Sequence, residues 1–424
     1  MKRIFTSATA VGIGVLGLTN VEAQEPPQER LWNFRAKLRG FYDDNYGTLS
    51  SSLPQKDASY GIEVNPVGTY QNQGEGPTRY SVEYDYRLRY FEGRAQNQID
   101  NQHKATLQVV NSPNDRLNLQ FNNTFAFAQE PGVNEAVVTA PVRTQGSYFR
   151  NRAQLAATYD VSSLIDLRAA YENRIQDFQQ DGVGSRSALL DNVIHQPSVD
   201  VLWKMSEKLT TITGVQYTRV SYTSKDPIGN IASGAARTIL PEERDSDNLA
   251  AYVGIDRYRF TETFEGTIKA GFERAHFRNA GAGADDSFVV PFVQSVLSYR
   301  LPQNSIARAG VRYGVSQTDV ALNAAGAVNP VQATKTLTVH GDVTYSITAP
   351  LNVSLVWQIQ QSDFEGGAFD GSSDGLYTGG LTFGYEIWDN LNLETGYLVD
   401  RLDSDIPTRS FTRHRGFIGL NYSY

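Results

Sequence analysis

From Tyr80 to Tyr90 the chain alternates without a break. Tyr80, Val82, Tyr84, Tyr86, Leu88 and Tyr90 interleave with Ser81, Glu83, Asp85, Arg87 and Arg89. A β-strand points successive side chains to opposite faces, so this stretch has one apolar wall and one charged wall. A soluble sandwich would fill the apolar wall with aliphatic core residues. A wall rich in tyrosine suits a lipid interface better.

The period recurs along the whole chain. Trp32, Phe34, Ala36 and Leu38 alternate with Asn33, Arg35, Lys37 and Arg39. Phe264, Ile268, Ala270 and Phe272 alternate with Glu265, Thr267, Lys269 and Glu273. Leu351, Val353, Leu355, Trp357 and Ile359 alternate with Asn352, Ser354, Gln358 and Gln360. About eighteen such segments begin near residues 31, 59, 79, 103, 116, 147, 163, 193, 209, 248, 262, 288, 305, 335, 351, 376, 391 and 411. The segment near 209 is the least regular, so sixteen strands stay open. After the first two dozen residues no stretch approaches the ~20 apolar residues of a spanning helix. A closed barrel can span a bilayer at a mean hydropathy of -0.39, because only alternate residues meet lipid.

Connection lengths test this independently. Short links (Asn114-Asp115, Ser206-Glu207-Lys208, Pro302-Gln303, Ala349-Pro350, Asp389-Asn390) alternate with long ones near 43–58, 128–146, 178–192, 223–247, 277–287, 316–334, 362–375 and 401–410. Transmembrane barrels have short periplasmic turns, long outer loops and an even strand number. With strand one starting in the periplasm, every long link falls outside. The expectation is a single closed antiparallel transmembrane β-barrel over 31–424, in the outer membrane and in contact with its lipid. Tyr70, Tyr159, Trp203, Tyr299, Tyr345 and Tyr424 end descending strands in phase with the apolar face, as an inner aromatic girdle requires. Tyr258 and Trp388 sit at matching depth but one residue out of phase.

The N-terminus reads as a cleaved Sec-type leader over 1–23. Lys2 and Arg3 are its charged start, Ile4 to about Leu18 its apolar core, and Val21-Glu22-Ala23 its cleavage site. A short periplasmic segment over 24–30 would precede the barrel. The absence of cysteine excludes disulfides and a lipid-modified cysteine anchor. The net charge is -8, or -9 once Lys2, Arg3 and Glu22 leave, which argues against nucleic acid as a partner.

A barrel of this strand number leaves a water-filled lumen. Arg35, Lys37, Arg39, Arg79, Arg87 and Arg89 face it from the first and third strands, and Arg413 and Arg415 from the last, which must pair with the first. They form a basic wall at the seam, interrupted by Glu63, Glu83 and Asp85. A second lumen group is Arg150, Arg152, Arg168 and Arg174 with Asp166 and Glu172. Such rows either orient anionic or hydroxyl-rich solutes or neutralise one another as a stiffening ladder. Among five histidines, His103, His195, His276 and His414 fall in phase with apolar faces, leaving His340 in the lumen. No serine and carboxylate can be placed beside it, so a hydrolytic triad is unsupported and no enzyme is expected. Asp370-Gly371-Ser372-Ser373-Asp374-Gly375 lacks the ligand set of a calcium loop and reads as turn chemistry. Phosphate-loop and zinc spacings are missing, and no cofactor is expected.

The terminal strand Gly416 to Tyr424 ends on an aromatic residue. It resembles the signal by which the barrel-assembly machinery recognises bacterial outer-membrane barrels. The stretch Leu38-Arg39-Gly40-Phe41-Tyr42-Asp43-Asp44-Asn45 resembles the start of the second beta-barrel porin family, as do Asn65-Pro66 and the set Tyr86, Tyr90, Asn101 and His103. That family is associated with exopolysaccharide systems, so the resemblance implies an export conduit for surface polysaccharide with a periplasmic polysaccharide-export protein as partner. It carries no catalytic residues. The alternatives are a general diffusion porin for small hydrophilic solutes, with the 128–146 loop as an inward constriction, and a structural or adhesive barrel with a plugged lumen.

Overall fold

The computed structural model describes residues 31–53, 57–72, 76–95, 97–129, 147–231, 237–280, 285–302, 305–320 and 330–424. The expected leader, the 24–30 segment and most of the 128–146 loop lie outside them. Among the described residues the strands begin with β1 (Trp32–Asp43), β2 (Ser59–Asn72), β3 (Thr78–Phe91), β4 (Ile99–Asn114), β5 (Leu117–Ala128), β6 (Tyr148–Asp160) and β7 (Ile165–Phe178). A short helix, α1 (Arg186–Leu190), precedes β8 (Asn192–Lys204) and β9 (Leu209–Tyr222). A small ribbon, β10 (Gly229–Ile231) with β11 (Arg237–Ile239), and a 3-10 turn (Pro241–Arg244) lead into β12 (Ser246–Arg259). Then come β13 (Phe264–Phe277), β14 (Ser287–Arg300), β15 (Ile306–Ser316), β16 (Ala333–Thr348), β17 (Leu351–Glu365), β18 (Ser373–Trp388), β19 (Leu391–Ser404) and β20 (Phe411–Ser423).

All but the ribbon join one 18-stranded antiparallel sheet, each strand bonded to its chain neighbours. β1 also pairs with β20, from Arg35 opposite Ser423 to Asp43 opposite Arg415, which closes the sheet on itself. No strand begins more than four residues from its expected start. The irregular segment is β9, paired along its length with both β8 and β12, so the count is eighteen. Its alternation is weak because Ile212 and Gly214 take lumenal positions while Thr211 and Thr213 face outward. Gly214 is there for space: a Cβ would stand 2.1 Å from Oδ1 of Asp200 and 2.8 Å from the Tyr252 ring.

Connections at one rim run two to five residues, and those at the other run six to twenty-three. The outer surface between the rims carries the large exposed apolar side chains, among them Leu38, Val199, Val253, Phe272, Val289 and Ile418. Water would expel such a band, and hydrocarbon accepts it. Four strands shift register within their last residues before a short turn: β4 at Asn111/Asn114, β12 at Ile255/Tyr258, β16 at Ser346/Thr348 and β18 at Glu386/Trp388. A bulge adds one residue to one strand and so inverts the facing of the residues beyond it. This accounts for the phase of Tyr258 and Trp388. Trp388 lies 67% exposed on the outer surface, and Tyr258 stacks edge-on against Phe260 at 4.4 Å.

The inner wall has no continuous apolar core. Near the seam it is charged; on β16 and β17 it is a neutral ladder in which Gln358, Gln360, Ser362, Thr336 and Thr334 bond to one another. Small apolar clusters sit mostly near the long-loop rim, as with Leu376, Leu402 and Phe411. At that rim Arg413 of β20 grips Asp43 of β1 through Nε at 3.0 Å to both carboxylate oxygens, with side chains 3% and 2% exposed. Removing one member strands a buried charge. Arg413→Ala is expected to destabilise the barrel by about 3–5 kcal/mol, read as a lower urea midpoint of heat-modifiable gel mobility, and Arg413→Ala with Asp43→Ala less than Arg413→Ala alone.

Candidate functional site

Period two sends every second residue of each strand inward, so the seam wall assembles from five strands, β1, β2, β3, β19 and β20. Arg35 meets Glu83 at 3.3 Å, and Arg89 meets Glu63 at 2.7 Å. Arg39 spans from Glu63 (3.6 Å) to Glu394, and Lys37 lies 3.9 Å from Glu394. Arg415 pairs with Asp400 at 2.5 Å. Asn65 donates to Asp85 at 2.6 Å. The expected basic wall is therefore mostly a compensated one, and Arg413 is walled off by Asp43. Sequence reasoning passed over Glu394 and Asp400, although both stand in the lumenal phase of β19. Arg79 is exposed near the short-turn rim. Arg87 differs from its neighbours. Among the described residues no ion pair within 4 Å joins it.

The second group divides in two. Arg152 and Arg174 both clamp Glu172, at 2.8 and 2.9 Å, with Arg150 beside them on β6. Arg168 reaches past Asp200 (3.0 Å) to Asp256 of β12 (2.8 Å), while Asp166 takes Lys204 at 2.5 Å. Asp200 also accepts from Tyr252 at 2.6 Å. Tyr252 packs with Leu202, Ile212 and Phe292, an apolar patch inside the lumen that alternation alone did not separate from the outer face.

One small cleft touches every strand from β7 to β15 except the loop ribbon. Its lining includes Arg174, Gln196, Gln216, Asn248, Glu273 and Arg312, with about 30 Å³ of open space. Arg312, unassigned by sequence, faces Glu273 and Glu172 across the cleft, and among the described residues no ion pair joins it. Two guanidiniums and three amides present many donors at close quarters. That set can bond carboxylate, phosphate or hydroxyl oxygens.

Loops bridge the long-loop mouth. Arg244 donates to the carbonyls of Leu189 (2.9 Å) and Thr318, and Asp319 takes Arg409 at 2.7 Å, which also holds Asp374 at 2.8 Å. Residues 317–320 thus tie the connection before β12 to the connection before β20, and Val320 and Val331 are buried beneath them with Phe364. The loop singled out for an inward constriction, 128–146, falls almost wholly outside the described residues. Among the described residues, 317–320 is a segment tied across the mouth.

Four histidines face outward and His340 faces the lumen, over Gly310, where a Cβ would come within 2.5 Å of the ring. Among the described residues no three His, Cys, Asp or Glu side chains gather to hold a metal. Asp370 caps the amide of Gly366 at 2.8 Å, and Gly371 takes a φ of 76°, as a turn requires. The outward aromatics Tyr159, Trp203, Tyr299, Tyr345 and Tyr424 are exposed at the short-turn rim, and Tyr70 packs on Trp32 at 4.6 Å.

Asp191 ends α1 at the mouth, accepting from the amide of Phe178 at 2.7 Å and from Ser187. Burial first, with Asp177 and Asp181 nearby, pushes its carboxyl up to about 6. The folded state therefore binds the proton more tightly than the unfolded chain does, so stability is lost as pH rises toward that value and regained on acidification. Amide exchange at Phe178 and Ala188 should slow between neutral pH and pH ~5, beyond the intrinsic pH effect, and Asp191→Asn should abolish that dependence.

No curated protein matches the chain. Among solved structures it is similar to a BenF-like porin from Pseudomonas fluorescens Pf-5, at 11% identity over 93% of this chain and 99% of that one, with a TM-score of 0.46. It is also similar to OccAB4 of Acinetobacter baumannii (11% identity, 94% and 100% covered, TM-score 0.44) and to the siderophore receptor PiuA of the same organism (11%, 95% and 82%, 0.45). Residues 235–424 of the barrel are similar to the family model described as "Putative beta-barrel porin 2".

Proposed function

We propose that the chain is an outer-membrane channel for hydroxyl-rich solutes that carry negative charge. The observation behind this reading is the contrast between lumenal arginines. Arg35, Arg39, Arg89, Arg152, Arg168, Arg174 and Arg415 are tied to carboxylates, whereas among the described residues no ion pair joins Arg87 or Arg312. A solute anion moving down the lumen would meet these two, with the amides of Gln196, Gln216 and Asn248 exchanging bonds with its hydroxyls. Arg79 at the short-turn rim would be the first cation on the periplasmic side.

The finer form is a conduit exporting surface polysaccharide, received from a periplasmic polysaccharide-export protein. It rests on the resemblance of the first hundred residues. It also takes residues 1–23 as a Sec leader and the C-terminal strand as the assembly signal. A general diffusion porin is favoured by the bridged mouth, since residues 317–320 narrow the opening as a porin's inward loop does. A plugged barrel would use the same bridge as its stopper.

Planar-bilayer recording separates these readings. The purified barrel should conduct, with anions preferred, and an anionic oligosaccharide should block it more strongly than a neutral one of equal length. Arg87→Gln with Arg312→Gln should weaken that block about tenfold, near 1.4 kcal/mol, while leaving the neutral sugar unaffected. A barrel that never conducts would sink every channel reading. Equal block by both sugars would leave only the general porin. Arg244→Ala, which unties the bridge, should raise the conductance of a porin.

A further inference from the structure

The outward face carries a polar patch that the channel reading does not use. One register row crosses β8, β9, β12 and β13: His195 lies opposite Arg219, Arg219 opposite Asp247, and Asp247 opposite His276. Arg274 projects from β13 two residues below His276. His195, Arg219, Arg274 and His276 are all exposed on the lipid side; Arg219 and His276 stand one outward position beyond Tyr217 and Leu249, while Arg274 lies level with Leu249 and with Val289 of β14. The row lies at the long-loop end, where the outer leaflet's headgroups begin, and spans about 14 Å over three strand spacings.

A cation on the lipid face is costly unless it meets a counter-charge, least so near the interface. The protein supplies few carboxylates here. Asp247 is taken by Tyr217 at 2.7 Å and by Arg278 at 3.6 Å, and Arg278 also holds Asp245. Three arginines thus face two carboxylates, and among the described residues no ion pair joins Arg219 or Arg274. His195 is set as a donor. The Tyr171 hydroxyl lies 2.7 Å from its Nδ1, and the Asn173 amide nitrogen, which can only donate, lies 3.4 Å from the same atom, which leaves the proton on Nε2. The same diagonal pairing recurs in Tyr84 with His103 and Tyr397 with His414. Of these three places, only the β8–β13 patch adds free guanidiniums to it.

We infer that His195, Arg219 and Arg274 form a binding site for a phosphate-bearing lipid headgroup of the outer leaflet. Guanidinium and imidazole N–H groups would bond the phosphate oxygens while Tyr217, Leu249 and Val289 contact the acyl chains. His276 would join only when protonated. Its Nδ1 faces the Asp286 carbonyl at 3.2 Å and must carry the proton there, so its neutral Nε2 can only accept.

The test compares phosphatidic acid with diacylglycerol, which differ by the phosphate, as adducts retained by the purified full barrel in native mass spectrometry. Phosphatidic acid should bind at least about tenfold more tightly. Arg219→Gln with Arg274→Gln should abolish the preference, His195→Ala should reduce it, and the lumenal Arg312→Gln should leave it intact. Heat-modifiable mobility reports that each variant is folded. Equal retention of the two lipids by the unaltered barrel overturns the site, whatever the variants do. So does an unchanged preference in the folded double variant. If the double variant instead splits an oligomer into monomers, the patch is a subunit contact and the lipid assignment falls.

Discussion

Inside hydrocarbon no water is available to an unpaired amide or carbonyl, and each one left open costs several kcal/mol. A sheet can meet that condition only by having no edge. The bonding of β1 to β20 is therefore the contact on which the others depend, since without it two strands would expose their backbones to lipid. Closure also sets what the inner wall must tolerate. Once the apolar alternates face outward, the charged ones are confined with one another in the lumen.

The lumen answers confinement by pairing. Carboxylates come from strands one to three places away, so that Arg39 draws on Glu63 of β2 and Glu394 of β19, and Arg168 on Asp200 of β8 and Asp256 of β12. These bonds act across the hydrogen-bonded ladders and resist shear between strands. A guanidinium so held has little left to offer a passing ion. What distinguishes Arg87 and Arg312 is chiefly the lack of this restraint.

Much of the fold was legible because alternation is a local signal. Eighteen starts, the two rims and the meeting of first and last strands all follow from period two and link length. The register slips were visible too, as Tyr258 and Trp388 standing out of phase, though only the bulges explained them. The candidate site was less legible. That Arg413 would bury itself against Asp43 depends on the closing register, and Asp43 had looked like loop. Arg312 shares its cleft with residues of six other strands, a meeting that no single strand's pattern encodes. The bridge from Arg244 through residues 317–320 to Arg409 joins three connections far apart in sequence.

The four bulges share a place, in the final residues of descending strands just before short turns. An extra residue gained in mid-strand would turn every later side chain from lipid to lumen. The same gain at a bulge dies out within two or three positions, at the water's edge. Replication slippage in such a gene is thus filtered by position. Length variation between relatives should collect at the periplasmic ends of descending strands as well as in the loops, and the hydrocarbon-spanning stretches should keep their length while their sequence drifts.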